Sequence, residues 1–236
     1  GSKYGSFVFG RTFRVGADTG SCYRAGSRVH RDPVQSSGTF FYETFDPVIY
    51  KDKKIKLKIR VMVNLIRITD PTDIRLQKLI SLYEEAFPEE ERRKIKQLKR
   101  LISERSEMYF NAIETDGILA GLFIYWDMRD FYYLEHLAVF TPMRNLKIGQ
   151  QVLDYIAEHL TGMRLLEVEP TTDEITTRRV NYYRRNGYEI LDKTYMQPSY
   201  DEDIEVGNLW IMGNRKSDRL QEFIERIKQM AYKENR

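Results

Sequence analysis

The stretch from Phe131 to Leu160 limits the fold most. Residues 131–140, Phe-Tyr-Tyr-Leu-Glu-His-Leu-Ala-Val-Phe, are aromatic, aliphatic or β-branched almost without a break. Such a run suits a strand covered on both faces. Pro142 ends it, because proline brings no N–H to a sheet ladder. From Ile148 the apolar positions move to helical spacing: Ile148, Val152, Tyr155, Ile156 and His159 or Leu160 fall on one side. Between the two lies a short turn containing Arg144, Lys147 and Gly149. Strand, basic turn and helix together suit a phosphate. The first-turn amides of a helix lack intrahelical acceptors, and the dipole there favours an anion.

The flanking chain reads as alternating strands and helices. Val63–Thr69 alternates as a first strand. Asp70-Pro-Thr-Asp73 starts a helix whose stripe is Ile74, Leu76, Leu79, Ile80, Tyr83 and Phe87, stopped by Pro88. Glu89–Glu104 is expected to form a second, strongly charged helix with Ile95, Leu98 and Leu101 or Ile102 buried. Met108–Thr115 and Ile118–Trp126 are strands joined by Asp116-Gly117, a hairpin signal. Met163–Glu169 is a fifth strand ended by Pro170, and Glu174–Asn186 a helix closed by Gly187 in a left-handed cap. Tyr188–Tyr195 and Glu205–Met212 close the sheet around a polar, acidic loop at 197–203. Ser217–Tyr232 is an amphipathic helix with Leu220, Phe223, Ile224, Ile227 and Met230 on one face. It suits packing on the domain or association, which leaves a homodimer open. The sum is a mixed α/β sandwich.

Charge divides the chain. Residues 1–61 hold 12 Lys/Arg and 5 Asp/Glu, a net +7, so the rest carries −4 of the overall +3. A mildly acidic domain favours a cationic partner over nucleic acid. Gly1-Ser2 resembles a cloning remnant. The chain to about Gly38 is rich in Gly, Ser and Arg without period, as in disordered segments. Phe40, Phe41, Tyr42 and Phe45 form an aromatic cluster, and Lys51–Lys58 is a lysine run. The two are not interleaved as a nucleic-acid surface requires. The expected division is therefore a basic arm, 1–61, disordered or not native to the working protein, and a folded domain, 62–236. No apolar run approaches the ~20 residues that span a bilayer, and no secretion pattern precedes the domain. Cys22 is the only cysteine, so a reducing cytoplasm is the default. No metal site is expected, because the three histidines and one cysteine lack ligand spacing.

Val139, Pro142 and the run Arg144-Asn-Leu-Lys-Ile-Gly149 resemble the acetyl-CoA-binding signature of the GNAT N-acetyltransferase superfamily, usually Arg/Gln-x-x-Gly-x-Gly/Ala. Tyr183-Arg-Arg-Asn-Gly-Tyr188 resembles that superfamily's second signature, Tyr-x-x-x-Gly-Phe/Tyr at the end of the next helix. The two lie about forty residues apart with a strand between them, and the resemblance covers residues 62–212. It implies an α/β fold with a mostly antiparallel sheet flanked by helices, and acetyl-CoA in a splay between the fourth and fifth strands. It further implies pyrophosphate on the turn Arg144, Asn145, Leu146, Lys147, Ile148, Gly149 and Gln150. Pantetheine would lie along the backbone of Leu137, Ala138 and Val139, with Tyr183 as proton donor to the departing thiolate. Two positions depart from the pattern. Lys147 stands where glycine is usual, and with ordinary φ it would offer a phosphate partner instead. Thr176 replaces the usual asparagine seven residues before the tyrosine.

Acyl transfer to an amine needs a placed donor, a neutral nitrogen and a proton for the leaving sulfur. Among the residues themselves Glu135 is the candidate base. Alternation puts it on the face of Leu137 and Val139, with His136 opposite, and partial burial raises a carboxyl pKa. An ordered water is the alternative. Glu167 and Glu169 share a face of the fifth strand and suit a cationic acceptor. The resulting expectation is an acetyl-CoA-dependent N-acetyltransferase acting by direct transfer on a primary amine, of a small cation or a peptide. A non-catalytic acyl-CoA-binding or regulatory module on the same fold is the second reading. A third makes the basic arm the functional part, with nucleic acid as its partner.

Overall fold

Asp116 and Gly117, at φ 50° and 76°, make the tight turn that twisted hairpins favour. They join β2 (Met108–Thr115) to β3 (Ile118–Asp127). The computed structural model describes residues 62–201 and 205–233; the expectations for 1–61, aromatic cluster and lysine run included, lie outside the described residues. Around this hairpin the sheet adds β1 (Val63–Ile68), β4 (Phe131–Val139) and β5 (Met163–Val168). It is completed by β6 (Glu189–Asp192) and by β9 (Trp210–Gly213), in the order β1-β2-β3-β4-β5-β9-β6. Among the described residues only β4 and β5 pair in parallel. β7 (Met196–Pro198) and β8 (Glu205–Asn208) form a separate ribbon, so the closing segments supply two sheets where one was expected.

Helices cover both faces. On one lie α1 (Leu76–Ala86), α2 (Ile95–Glu104) and α5 (Leu220–Ile227), whose buried residues share a core with Phe110, Ile124 and Tyr133. On the other lie α3 (Ile148–His159) and α4 (Glu174–Arg185), packed with Leu134, Leu137, Val139 and Leu166. The tail helix packs on the domain: Phe223, Ile224 and Ile227 are buried, each worth roughly 1.5–3 kcal/mol. It widens into a π turn, Lys228–Tyr232, that turns both Ala231 and Tyr232 inward.

Two helical expectations are corrected. Ile74 lies outside α1 and is exposed. The second charged helix is not continuous. Glu89–Glu91 form a 3-10 turn, Arg92 and Lys94 have extended ψ of 154° and 140°, and α2 starts only at Ile95. The break lets Arg93 leave the charged surface and enter the core, where it is fully buried against Glu135.

Register sets the site. β4 and β5 pair from Phe131↔Met163 to Leu134↔Leu166 and no further. β4 then follows β3, down to Gly121↔Val139, while β5 follows β9 through Val168↔Trp210. The sheet therefore forks after Leu134 and Leu166. Along β4, Tyr125 faces Leu134 and Ile124 faces His136, so Glu135 is an extra residue, a β-bulge. Gly121 holds β3 against the open limb of β4, since a Cβ there would run into the carbonyl oxygen of Ala138. Gly121→Ala should cost at least the roughly 1–3 kcal/mol typical of overpacking, measured by urea unfolding. An unchanged midpoint would show that β4 gives way freely.

Candidate active site

Glu135 and Glu167 are the first residues beyond the last paired rung of the fork, one on each strand. The bulge reverses the expected facing of Glu135. Simple alternation would set it beside Leu137 and Val139 with His136 opposite. The extra residue turns both Glu135 and His136 toward the α1 face, where His136 packs edge-on against Tyr83 and Phe87 at 5.2 and 4.2 Å. Leu137 and Val139 face the α3 side. Glu135 and Glu167 line one small cavity with Glu91, Tyr133, His136, Gln197, Tyr200 and Leu209.

The two carboxylates have opposite electrostatic fates. Glu135 takes an ion pair from Arg93 Nη1 at 2.7 Å, with hydrogen bonds from Trp126 Nε1 at 3.0 Å and Tyr200 OH at 2.9 Å. Burial alone would push its pKa up, but the Arg93 charge, the adjoining His136 ring and the Trp126 bond outweigh it and hold the group at about 2. The raised pKa expected for a base is thus corrected: Glu135 is a permanent anion. Arg93 also donates to Ala231 O at 2.6 Å and stacks over Tyr200 at 4.3 Å.

Glu167 has no cation among the partners that set its pKa. Burial raises it, hydrogen bonds from Tyr195 OH at 2.6 Å and Tyr232 OH at 2.8 Å pull it back, and the Glu135 charge adds to the rise; the balance is about 7. A carboxyl that titrates near neutrality can take and release a proton. Two carboxylates driven apart by their surroundings are how a buried site assigns acid–base roles. Glu169, the other expected acceptor ligand, pairs instead with Arg179 at 3.0 Å.

On the opposite face, Phe140 N–H bonds to Ala120 O, so the backbone groups of Val139, and of Leu137 two residues back, point into the fork. Those of Ala138 turn toward β3, which removes it from the open edge. Arg144 Nε donates to Val139 O at 3.3 Å. Asn145 and Lys147 lie at φ 72° and 58°. Lys147 thus takes the left-handed conformation that a glycine would adopt freely, not the ordinary φ expected of it. No side chain caps α3, and its first intrahelical bond runs from Gln151 N to Lys147 O. The amides of Ile148, Gly149 and Gln150 accordingly have no i−4 partner within the helix. These groups fit a pyrophosphate, and the free edge of β4 fits an extended amide-bearing chain. The Gln150 side chain donates to Asn186 Oδ1 at 2.6 Å, which ties this turn to the end of α4.

Tyr183 sits in the last turn of α4. Gly187, at φ 81°, closes the helix with Tyr188 N bonded to Tyr183 O and Gly187 N to Arg184 O, a Schellman end. The Tyr183 ring shares the core of Leu137, Val139 and Val168. Burial keeps its phenol protonated well above the usual range, against the opposing charge of Arg179. Thr176 is a capping residue: it forms a reciprocal box with Asp173 at the start of α4.

The structure therefore gathers Leu137, Val139, Tyr183 and the α3 turn on one face of the fork, with Glu135 and Glu167 on the other. Sequence reasoning missed Arg93, Tyr195, Tyr200 and Tyr232. The only available signal was the count of 16 tyrosines, which carries no position. Among the described residues no group of three His, Cys, Asp or Glu is set to hold a metal, and no helix is long and apolar enough to cross a membrane.

Residues 76–188 match the profile of the Acetyltransferase (GNAT) family. No curated protein matches the sequence. Among solved structures, a protein assigned to the GNAT acetyltransferases from Bacteroides thetaiotaomicron is 28% identical, with a TM-score of 0.67 over 73% of this chain and 98% of its own. A GNAT family acetyltransferase from Elizabethkingia anophelis with acetyl-CoA bound is 13% identical, TM-score 0.44, covering 65% and 98%. Spermidine/spermine N-acetyltransferase SpeG from Vibrio cholerae is 13% identical, TM-score 0.46, covering 64% and 91%.

Removing Arg93 leaves Glu135 buried without its cation. Arg93→Met should cost roughly 3–5 kcal/mol, whereas Arg93→Met with Glu135→Leu should recover most of it, because no charge is then stranded. Urea unfolding at pH 7 of both variants checks this. A double variant no better than the single one would show that Arg93 acts through its other contacts.

Proposed function

Residues 76–188 form a GNAT acetyltransferase domain, an acyltransferase by family, and from that premise we propose that the chain transfers the acetyl group of acetyl-CoA to a primary amine. The observation that carries this reading is the fork, with helix amides that have no intrahelical acceptor and a β4 edge no longer paired with β5 on one face, and a carboxyl near neutrality on the other. Acetyl-CoA supplies an activated acyl carbon and a thiolate leaving group when bound. Its pyrophosphate would sit on the turn from Arg144 to Gln150, with Arg144 and Lys147 adding charge. Its pantetheine amides would replace the missing β5 partner of Leu137 and Val139.

The protein's part is then the movement of protons. Glu167 takes one proton from the acceptor nitrogen. The Tyr183 hydroxyl gives one to the departing sulfur, and the second proton released by the nitrogen restores it. Glu135 stays ionised and holds positive charge near the site. The base is thereby reassigned from Glu135 to Glu167. The acceptor is a small cation or a peptide-borne amine.

Two measurements test this. Acetyl-CoA should raise the melting temperature, by about 2.7 kcal/mol of stabilisation at a hundred times its Kd, and Gly149→Val should abolish the rise. No rise in the parent would sink the reading. In turnover, kcat/KM should climb with pH and level off above about 7, because Glu167 must be ionised to act. The groups around it are Glu135, His136 and Tyr133 from β4, Glu91 from the turn before α2, Tyr195 and Tyr200 from the ribbon side, and Tyr232 from the tail, with Arg93 behind Glu135. Glu167→Gln should lose on the order of 10²–10⁴-fold and the rising limb. Tyr183→Phe should lower kcat with acetyl-CoA affinity intact. Binding of acetyl-CoA without turnover on any amine would support the non-catalytic module instead.

A further inference from the structure

The cavity at the fork has a chemical signature of its own. With Glu167 ionised, Tyr232 OH gives its one proton to Glu167 Oε2 and accepts from Tyr133 OH. It must therefore accept, not donate, at its 3.2 Å contact with Gln197 Nε2. That fixes the amide: nitrogen toward Tyr232, and Oε1 on the side away from it. Gln197 is 7% exposed, lines the cavity, and its Oε1 has no hydrogen-bond partner among the described residues. A buried carbonyl oxygen left unpaired costs roughly 1–3 kcal/mol, so it calls for a donor.

Around the space the donors are already committed, Tyr133 OH to Tyr232 and His136 Nε2–H to the Glu91 carbonyl, and what is left accepts. Glu135 is an anion, Glu167 is one once it loses its proton, and the hydroxyl protons of Tyr200, Tyr195 and Tyr232 are committed to these carboxylates. Arg93, the nearby cation, pairs with Glu135 and Ala231 and does not line the cavity. The free space is about 20 Å³, room for one water-sized group. A ligand that only donates, carries positive charge and fits that space is a single ammonium head. An –NH3+ group has three donors and no acceptor.

We propose that this cavity is the seat of the acceptor's nitrogen, and that it takes the acceptor as a protonated, unbranched primary alkylammonium. This rests on the acetyltransferase reading for its consequence, though not for its geometry. Three donors meet Gln197 Oε1, Glu135 and Glu167. The ammonium passes one proton to the Glu167 carboxylate, leaving a neutral amine and a neutral carboxyl, so charge is conserved. The carbon next to nitrogen must be a slim CH2, since the cavity has no volume for a second substituent. Amines branched at that carbon, the α-amino group of a peptide among them, are excluded; an arylamine, uncharged at neutral pH, and a guanidinium, too broad, are excluded as well.

The test uses the full chain, without and with acetyl-CoA. Titration calorimetry and the fluorescence of Trp126, bonded to Glu135, report binding of n-butylamine, sec-butylamine, alaninamide and aniline. n-Butylamine should bind at least tenfold more tightly than each of the other three. Gln197→Met, which removes the acceptor at similar volume, should weaken n-butylamine at least tenfold; Gln197→Asn, which withdraws it, serves if the first variant fails to fold. Equal binding of straight and branched amines, or unchanged binding in a folded Gln197 variant, overturns the proposal. Acetyl transfer separates the two readings. Binding of n-butylamine without transfer overturns the enzyme and leaves the seat, whereas transfer to sec-butylamine as fast as to n-butylamine overturns the seat and leaves the enzyme.

Discussion

The parting of β4 from β5 after Leu134 and Leu166 is the constraint on which the rest of the structure depends. A parallel pair held together along its whole length would offer no free backbone. Here β4 is drawn along β3 and β5 along β9, and neither strand has to break to open the gap. The opening is marked by carboxylates on both limbs, and burying two like charges across a fork is costly. The chain resolves the cost asymmetrically. Arg93 neutralises Glu135 outright, while Glu167 receives only tyrosine hydroxyls and so keeps its proton to about pH 7. Had both received a cation, neither would titrate where an amine needs a base. Had neither, both would stay protonated and no anion would remain to hold a cation.

Much of the scaffold was legible because its signals are local. The Asp116-Gly117 turn, the Gly187 helix end and the apolar run of β4 each follow from a few adjacent residues, and each lies where the sequence indicates. The basic turn and Tyr183 were equally legible, since a short motif fixes them. The facing of Glu135 was not. A one-residue bulge reverses period-two alternation beyond it, and nothing in Tyr-Leu-Glu-His marks which residue is extra. Arg93 was hidden for a related reason. It stands in a run of charged residues that reads as a solvated helix, and its burial is decided by a carboxylate 42 positions downstream in β4. Long-range pairing of this kind leaves no periodic trace.

The α3 turn shows how a departure from a motif can keep the motif's geometry. Lys147 adopts φ 58° and Asn145 φ 72°, at a cost of roughly 1–2 kcal/mol for a residue such as lysine. Strain of that size persists only where the surroundings over-determine it. Here β4 fixes the entry to the turn, and Gln150, bonded to Asn186, fixes its exit. The backbone thus keeps the path that glycine would take, while the side chain at 147 contributes a positive charge that glycine lacks. The substitution exchanges conformational ease for electrostatic attraction at a site suited to an anion.

The tail completes the argument, because the site is not finished without it. Tyr232 supplies one of the two hydroxyls that Glu167 accepts at 2.6 and 2.8 Å. Its hydroxyl also orients Gln197, and its ring stacks on Tyr200 at 4.6 Å. The π turn at Lys228–Tyr232 brings both Ala231 and Tyr232 inside, so Arg93 can grip the Ala231 carbonyl while it pairs with Glu135. One guanidinium therefore links the broken charged helix, the bulge in β4 and the last turn of the chain. The tail is held by burial of its apolar face, and the electrostatics of the fork depend on its staying there.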